Sequence, residues 1–219
     1  MENENNQKYA VQEDKPADWF EPLYADSNKD GEGVPWANME THPSFSRWLN
    51  QNQLVGSKKQ ALVVGCGMGD DAIELENLGF KVTAFDVSKS AIKYCNERFP
   101  GSAVDFVKAD LLKGHVQWDK KFDFVLEIYT IQALPPKYEG ELIHNISNFV
   151  APGGQLLVIA EVSKAERSFD NGPPWFLTPK HIESFESCGL SFDHKDIEQD
   201  FADQGEPKTY VSTFRKPAT

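Results

Sequence analysis

From Leu54 onward, short apolar runs alternate with amphipathic stretches, and this pattern predicts the secondary structure. The apolar runs are rich in β-branched and aromatic residues and end at turn residues, as buried strands do. Between them, apolar residues recur at helical spacing and stop at glycine or proline. The predicted strands are 60–65, 81–86, 103–110, 122–129, 155–162, 190–198 and 208–216. The predicted helices are 70–78, 88–99, 137–149 and 178–188.

The order of these elements predicts the fold class. Strands that alternate with helices form βαβ units, and these units build a largely parallel sheet with helices on both faces. The last two strands have no helix between them, only the turn-rich residues 202–207, so we expect an antiparallel hairpin at one sheet edge. The pattern therefore indicates an α/β protein with a doubly wound, seven-stranded, mostly parallel sheet.

The residues before this alternation differ in character. Residues 1–17 are polar and lack periodicity, which predicts a disordered tail. Residues 18–54 are rich in aromatic side chains around a turn-rich stretch at 27–35, and they hold three of the five tryptophans, Trp19, Trp36 and Trp48. Such a segment is either extra core or a lid over a ligand. We expect three regions: a disordered tail (1–17), a lid or cap (18–54) and a Rossmann-like domain (55–219).

The loop after the first strand carries the candidate chemistry. The strand ends at Val64 and a helix begins near Asp70, with glycines between them at 65, 67 and 69. Open α/β sheets bind ligands at the carboxyl ends of their strands, and glycine lets a ligand approach the backbone. Asp86 ends the second strand, 21 residues after Gly65, a spacing typical of a carboxylate that binds ribose hydroxyls.

Two ligand classes fit this layout. A dinucleotide site expects GxGxxG, but Asp70 stands at the third glycine position. The acidic pair Asp70 and Asp71 at the helix start would also repel a diphosphate. A nucleoside with a cationic centre and no phosphate fits better, and S-adenosylmethionine is such a ligand. An NAD-dependent reductase and a non-catalytic nucleoside-binding sensor are the alternatives from other functional classes.

The composition of the chain limits the classes of molecule that we expect it to bind. Acidic residues outnumber basic ones 34 to 22, giving a net charge of −12 and a pI near 4.9. This surface disfavours nucleic acid and anionic membranes. The N-terminus lacks a secretory signal, no apolar run could span a bilayer, and three separated cysteines indicate no disulfide framework. The five histidines lack metal-ligand spacing, so we expect no metal and a cytoplasmic monomer or weak homodimer.

The sequence resembles the class I S-adenosylmethionine-dependent methyltransferases, most closely the thiopurine methyltransferase-like group of thiol and halide methyltransferases. The similar segments span about residues 19–215: VPW (34–36), LVVGCGMGDDAIELENLGFKVTAFDVSKSAI (62–92), ADLL (109–112), FDFVLEIYTIQALPP (122–136) and APGGQLLV (151–158). The resemblance implies strand order 3-2-1-4-5-7-6 with the seventh strand antiparallel.

The resemblance also implies how S-adenosylmethionine would be held. Asp86 would bind the ribose, Val87 would cover one face of the adenine, and Asp110 would accept a hydrogen bond from the adenine amino group. Trp36 would fold over the cofactor, where its aromatic face attracts a sulfonium cation. The complete set of implied cofactor contacts is Trp36, Gly65, Cys66, Gly67, Asp71, Asp86, Val87, Asp110, Leu111, Glu127 and Ile128.

The acceptor is the least determined part of this hypothesis. Candidates for the acceptor site are Tyr24, Tyr129, Gln132, Glu161 and Trp175. Methyl transfer to a hydroxyl needs a base, usually histidine or a tuned carboxylate, and these candidates include only one carboxylate. We therefore expect transfer to a small thiol or other soft nucleophile, with N- or O-methylation of a small metabolite as the alternative.

Overall fold

A seven-stranded mixed sheet lies at the centre of the computed structural model, which describes residues 10–165, 167–198 and 207–218. The strand order is β3-β2-β1-β4-β5-β7-β6, and β7 runs antiparallel to both of its neighbours, which confirms the predicted fold class and order. The strands are β1 (Gln60–Val64), β2 (Lys81–Asp86), β3 (Asp105–Lys108), β4 (Phe122–Ile128), β5 (Val150–Val162), β6 (Ser191–Glu198) and β7 (Lys208–Arg215).

Six α-helices flank the sheet in the described ranges. They are α1 (Phe20–Ala25), α2 (Pro43–Asn52), α3 (Asp70–Asn77), α4 (Lys89–Arg98), α5 (Glu139–Phe149) and α6 (Pro179–Ser187). Ser88 caps the N-terminus of α4, since its Oγ accepts a hydrogen bond of 3.1 Å from the backbone N–H of Ala91. None of the helices described is long and apolar enough to cross a membrane.

Two strands differ from the prediction by more than one residue at a boundary. β3 covers only residues 105–108 of the predicted 103–110. β5 begins at Val150, because residues 152–154 remain within the strand as an irregularity, with a register shift opposite residues 122–124. An irregularity of this kind accommodates turn residues without ending the strand.

The sheet has an apolar core on each face. Successive residues of β1 point to opposite faces, so Leu62 and Val64 join one core while Ala61 and Val63 join the other. Burial on both faces explains why the central strands read as continuous apolar runs. Two side chains of α2, Phe45 and Trp48, belong to the second core, at 0% and 3% exposure.

The beginning of the described chain lies against the main domain. Residues 10–17 of the expected tail form turns, in which the Lys15 N–H donates to the Gln12 carbonyl at 3.1 Å. Tyr138 Oη donates to the Glu13 carbonyl at 3.0 Å, and Lys137 forms an ion pair with Glu13. Residues 1–9 of that tail lie outside the described residues.

Candidate cofactor and acceptor site

A cavity of about 470 Å³ opens at the carboxyl ends of the central strands. Its floor comes from the loops after β1, β2 and β4, and its cover comes from the N-terminal segment before α2. β1 lies between β2 and β4, which is the point where the strand order reverses and where open α/β sheets bind ligands. The cavity therefore lies where the glycine loop in the sequence predicted a ligand site.

The loop after β1 requires glycine for two reasons: the φ angles of its turns are positive, and other residues approach its backbone closely. Gly65 and Gly67 have φ values of +59° and +53°, in the left-handed region. A Cβ on Gly65 would lie 2.4 Å from Thr130 Oγ1, whose hydroxyl donates to the Val64 carbonyl at 3.0 Å. A Cβ on Gly67 would lie 3.1 Å from Tyr24 Oη. The loop therefore gives the cavity a floor made of backbone.

Asp86 is held rigidly at the end of β2. Its Oδ2 accepts from the Gly67 N–H at 3.0 Å, and its Oδ1 accepts from the Ser88 N–H at 2.9 Å. The side chain is 6% exposed, and burial raises its pKa to about 6 although the backbone hydrogen bonds oppose the rise. Each oxygen keeps a second lone pair, so the carboxylate can still accept from ligand hydroxyls.

The two acids at the start of α3 have different partners. Asp70 forms a two-pronged ion pair with Arg98, with N–O distances of 2.6 and 2.7 Å. Asp71 Oδ1 accepts the backbone N–H of His42 at 2.8 Å, and burial raises the pKa of Asp71 to about 7. No lysine or arginine of the described chain lines the cavity, so the Asp71 carboxylate lacks a cationic partner there.

Another part of the cavity wall lies next to the carboxyl end of β2. Val87, Asp110 and Leu111 line it, with Leu111 buried at 6% exposure. Asp110 Oδ1 accepts from the Leu112 N–H at 3.0 Å, and its Oδ2 lies 3.5 Å from Lys113 Nζ, outside the cavity lining. This wall therefore combines an apolar surface with one oriented carboxylate.

An aromatic cluster covers the cavity. Trp36 is 38% exposed, and its Nε1 donates to Tyr24 Oη at 2.9 Å. The rings of Trp19, Phe20 and Tyr24 lie edge-on to the Trp36 ring at 5.7, 6.1 and 6.1 Å. The Trp19 indole N–H is buried without a partner among the described residues, so it is free to donate to a ligand.

The proposed acceptor side lies beyond β4. Tyr129 has a φ of +58°, a strained value for a bulky side chain, and its ring stands edge-on to that of His42 at 5.1 Å. Gln132 and Glu161 are bonded reciprocally: Gln132 Nε2 donates to Glu161 Oε2, and the Glu161 N–H donates to Gln132 Oε1, both at 2.8 Å. These four side chains line the cavity.

Glu127 and Trp175 are the two predicted site residues that do not line the cavity. The Glu127 side chain is fully buried, where its Oε1 accepts from the N–H groups of Thr130 and Ile131 and so caps the turn after β4. Trp175 is 2% exposed, and its Nε1 donates to the Phe169 carbonyl at 3.0 Å, while Pro173 and Pro174 line the cavity nearby. Every other predicted cofactor or acceptor residue lies in the wall, including Cys66, Ile128 and Tyr24.

Sequence reasoning missed several residues of the site. His42 reaches the wall from the N-terminal segment, and Thr130 locks the loop after β4 to the loop after β1. Arg98 neutralises Asp70, and Glu21 docks α1 by accepting from the hydroxyls of Ser88 and Ser90 at 2.7 and 2.9 Å. Each contact joins residues at least 28 positions apart, so local spacing contained no signal for them.

Comparison with known proteins places this site in a family. The family model described as a methyltransferase domain matches residues 61–154, which contain the glycine loop, Asp86 and Asp110. Residues 61–154 therefore form a methyltransferase domain, in agreement with the resemblance to the class I S-adenosylmethionine-dependent methyltransferases.

Relatives of known name show how far the likeness extends. The chain is 31% identical over 161 residues to the carboxy-S-adenosyl-L-methionine synthase of Shewanella sediminis, covering 68% of this chain and 64% of that protein. It is 24% identical over 152 residues to the probable thiol methyltransferase 2 of Arabidopsis thaliana, covering 68% and 65%. The chain spans between 36% and 65% of the length of the curated relatives that it matches.

A solved structure supports the fold. The 1,6-didemethyltoxoflavin-N1-methyltransferase of Burkholderia thailandensis, solved with 1,6-didemethyltoxoflavin and S-adenosylhomocysteine bound, superimposes with a TM-score of 0.66. The alignment covers 89% of this methyltransferase and 85% of that chain at 19% identity. At this identity the likeness concerns the fold alone.

Proposed function

We propose that this methyltransferase binds S-adenosylmethionine in the cavity and transfers its methyl group to a small molecule. One observation carries the proposal: an open glycine floor is flanked by the Asp86 and Asp71 carboxylates, and no lysine or arginine is in the described lining. The ligand's ribose hydroxyls suit Asp86, and its positive charge suits the uncompensated Asp71. A diphosphate would face both carboxylates.

Each side chain of the cofactor half has a role in this proposal. Asp86 accepts from the ribose hydroxyls, and Asp110 accepts from the adenine amino group. Val87 and Leu111 provide the apolar surface against which the adenine packs. Asp71 provides the negative charge next to the amino-acid end, which passes over the backbone of the glycine loop.

The chain itself contributes alignment and exclusion of water. The bound cofactor supplies an electrophilic methyl group on a positive sulfur, which is already a good leaving group. The Trp36 ring offers an aromatic face to a cation and covers the cavity from solvent. Alignment of the acceptor in a dry site then accounts for most of the acceleration expected.

We propose an acceptor that is already a nucleophile at neutral pH: a thiol or another soft nucleophile, with a neutral amine as the alternative. His42 is in the wall, but its Nδ1 accepts the Ser44 N–H at 3.3 Å, so the neutral ring carries its proton on Nε2. Burial lowers the pKa of His42 and keeps the ring neutral. In this tautomer His42 is a hydrogen-bond donor, so it does not serve as the base that an alcohol acceptor needs.

Calorimetric titration with S-adenosylmethionine, S-adenosylhomocysteine and NADH tests the proposal. Micromolar binding of the first two without binding of NADH is expected. An acceptor screen that measures release of S-adenosylhomocysteine then separates an enzyme from a non-catalytic sensor. Binding of NADH alone would overturn the proposed function in favour of a reductase.

A further inference from the structure

We propose that the acceptor half of the cavity selects a small amine, which enters as its ammonium form and is recognised by Glu161. The inference rests on the proposed function and names the substrate class of the same site. The proposed function does not distinguish amines from thiolates, halides and other anionic nucleophiles as acceptors. This inference does.

The charge of the cavity wall is the first argument. The described lining contains no lysine or arginine, and burial keeps the histidine in it neutral. Six acidic side chains line the same space: Glu40, Asp70, Asp71, Asp86, Asp110 and Glu161. Asp70 is paired with Arg98, and Asp110 lies near Lys113. The other four carboxylates would repel an anionic acceptor, whereas they would attract an ammonium ion.

Glu161 lies away from the carboxylates that the cofactor engages. Asp86 ends β2, whereas Glu161 lies near the end of β5, and β1 and β4 separate these two strands. Three strand spacings correspond to about 14 Å across the sheet. Glu161 is therefore the carboxylate left for a second ligand on the far side of β4.

The local geometry prepares Glu161 for that ligand. Gln132 is hydrogen-bonded to both Oε2 and the backbone N–H of Glu161, which fixes the rotamer of the Glu161 side chain. No described residue donates a hydrogen bond to Glu161 Oε1. Tyr129 adds an aromatic ring to the same part of the wall. A carboxylate next to an aromatic ring is a suitable site for an ammonium ion.

The reaction of an amine balances without a further reactant. The ammonium group first loses a proton to water, which frees the nitrogen lone pair. That pair forms the new nitrogen–carbon bond as the carbon–sulfur bond breaks, and the electrons of the broken bond stay on sulfur. The product ammonium is again a cation, which suits the same wall.

The test measures binding of matched compounds to the protein saturated with S-adenosylhomocysteine. Calorimetry compares benzylamine with benzyl mercaptan and benzyl alcohol, and propylamine with the corresponding thiol and alcohol. We expect at least one amine to bind about tenfold tighter than its thiol and alcohol, as suits a charge-assisted hydrogen bond. Glu161→Gln should remove most of that preference, because glutamine keeps the bond from Gln132 and loses only the charge.

Glu183→Gln is the matched control, since Glu183 is an exposed carboxylate of α6 outside the cavity lining. It should leave the amine preference unchanged. Equal binding of the three compounds of each set, tighter binding of the thiols, or no binding of either amine overturns the inference. If S-adenosylhomocysteine itself does not bind, the proposed function fails instead, so the two failures are distinguishable.

Discussion

Asp86 serves the fold and the proposed ligand with the same two oxygens. It accepts two backbone hydrogen bonds that join the glycine loop to the start of α4. The ribose bonds that we propose are charge-assisted, each contributing roughly 1.5–3 kcal/mol. Asp86→Ala should therefore raise the Kd for S-adenosylhomocysteine at least about tenfold, as measured by calorimetry.

The control for this variant is Asp105→Ala, which removes an exposed acid at the start of β3. It should bind S-adenosylhomocysteine as the unmodified protein does. Circular dichroism checks that Asp86→Ala stays folded. A folded Asp86→Ala protein with unchanged affinity would exclude Asp86 as the ribose ligand.

Because Glu127 is buried, we expect it to lower the free energy of unfolding as the pH rises. Its Oε2 is buried without a partner among the described residues, and burial raises its pKa from 4.5 to about 7. The folded state thus favours the neutral acid, so this group's stabilising contribution is complete below pH 4.5 and is lost as the pH rises through 7. At pH 8 the charged group costs on the order of 3 kcal/mol.

Glu127→Gln should therefore raise the melting temperature at pH 8 and change it little at pH 4.5. Glutamine keeps an oxygen for the Thr130 and Ile131 N–H groups but carries no charge. Thermal unfolding at both pH values measures the difference, with Glu183→Gln as the exposed control. Equal changes in melting temperature at both values would contradict the pH dependence that the raised pKa of Glu127 predicts.

At the scale of elements, the N-terminal segment is anchored at both ends. Glu21 attaches α1 to α4 through Ser88 and Ser90, and Phe45 and Trp48 bury α2 in the core. The connection between the two helices contains Trp36 and crosses the cavity. The core alternative thus applies to α2, and the lid alternative stays a prediction for the connection.

We expect residues 27–40 to exchange amide hydrogens faster than α1 and α2 in the free protein. S-adenosylhomocysteine should slow this exchange, because covering segments have low local stability until a ligand orders them. Hydrogen exchange read by mass spectrometry measures both states, with α2 as the internal reference. Exchange at 27–40 that the ligand does not alter would make the connection a purely structural cap.

Trp36→Ala separates ligand binding from stability within this segment. Trp36 is 38% exposed, so its loss removes less buried surface than the loss of a core tryptophan. The Kd for S-adenosylmethionine should rise several-fold as the aromatic contact with the sulfonium cation is lost. Phe192→Ala, at 44% exposure on β6, is the matched control and should lower the melting temperature by a similar small amount without changing affinity.

At the scale of the whole molecule, ligand binding should stabilise the fold. A ligand present at 100 times its Kd adds about 2.7 kcal/mol to the free energy of unfolding. For a chain of this size, that corresponds to a rise of roughly 5–11 °C in melting temperature. S-adenosylhomocysteine should produce this shift in a thermal scan and NADH should not; a shift with NADH alone would contradict the cofactor assignment.

Local pattern was sufficient for the elements of this protein. The period of two in the strands, the helical spacing after Gly69 and the capping residue Ser88 are all encoded within a few neighbouring positions. The largest boundary error is at β5, where Pro152 stays inside the strand although the local signal is that of a turn. The glycine loop and Asp86 were also predictable, because the strand–turn–helix unit places them at the sheet edge by itself.

The tertiary structure alone decided the rest of the site. His42 reaches Asp71, and Thr130 packs on Gly65, through contacts between distant parts of the chain that no local periodicity encodes. Glu127 follows the pattern of a site residue, yet its side chain turns inward, because the backbone N–H groups after β4 needed an acceptor. The sequence by itself determined the fold and the cofactor loop, since both depend on local order. The packing of the strands against the N-terminal segment decided which side chains line the cavity and what charge they give it.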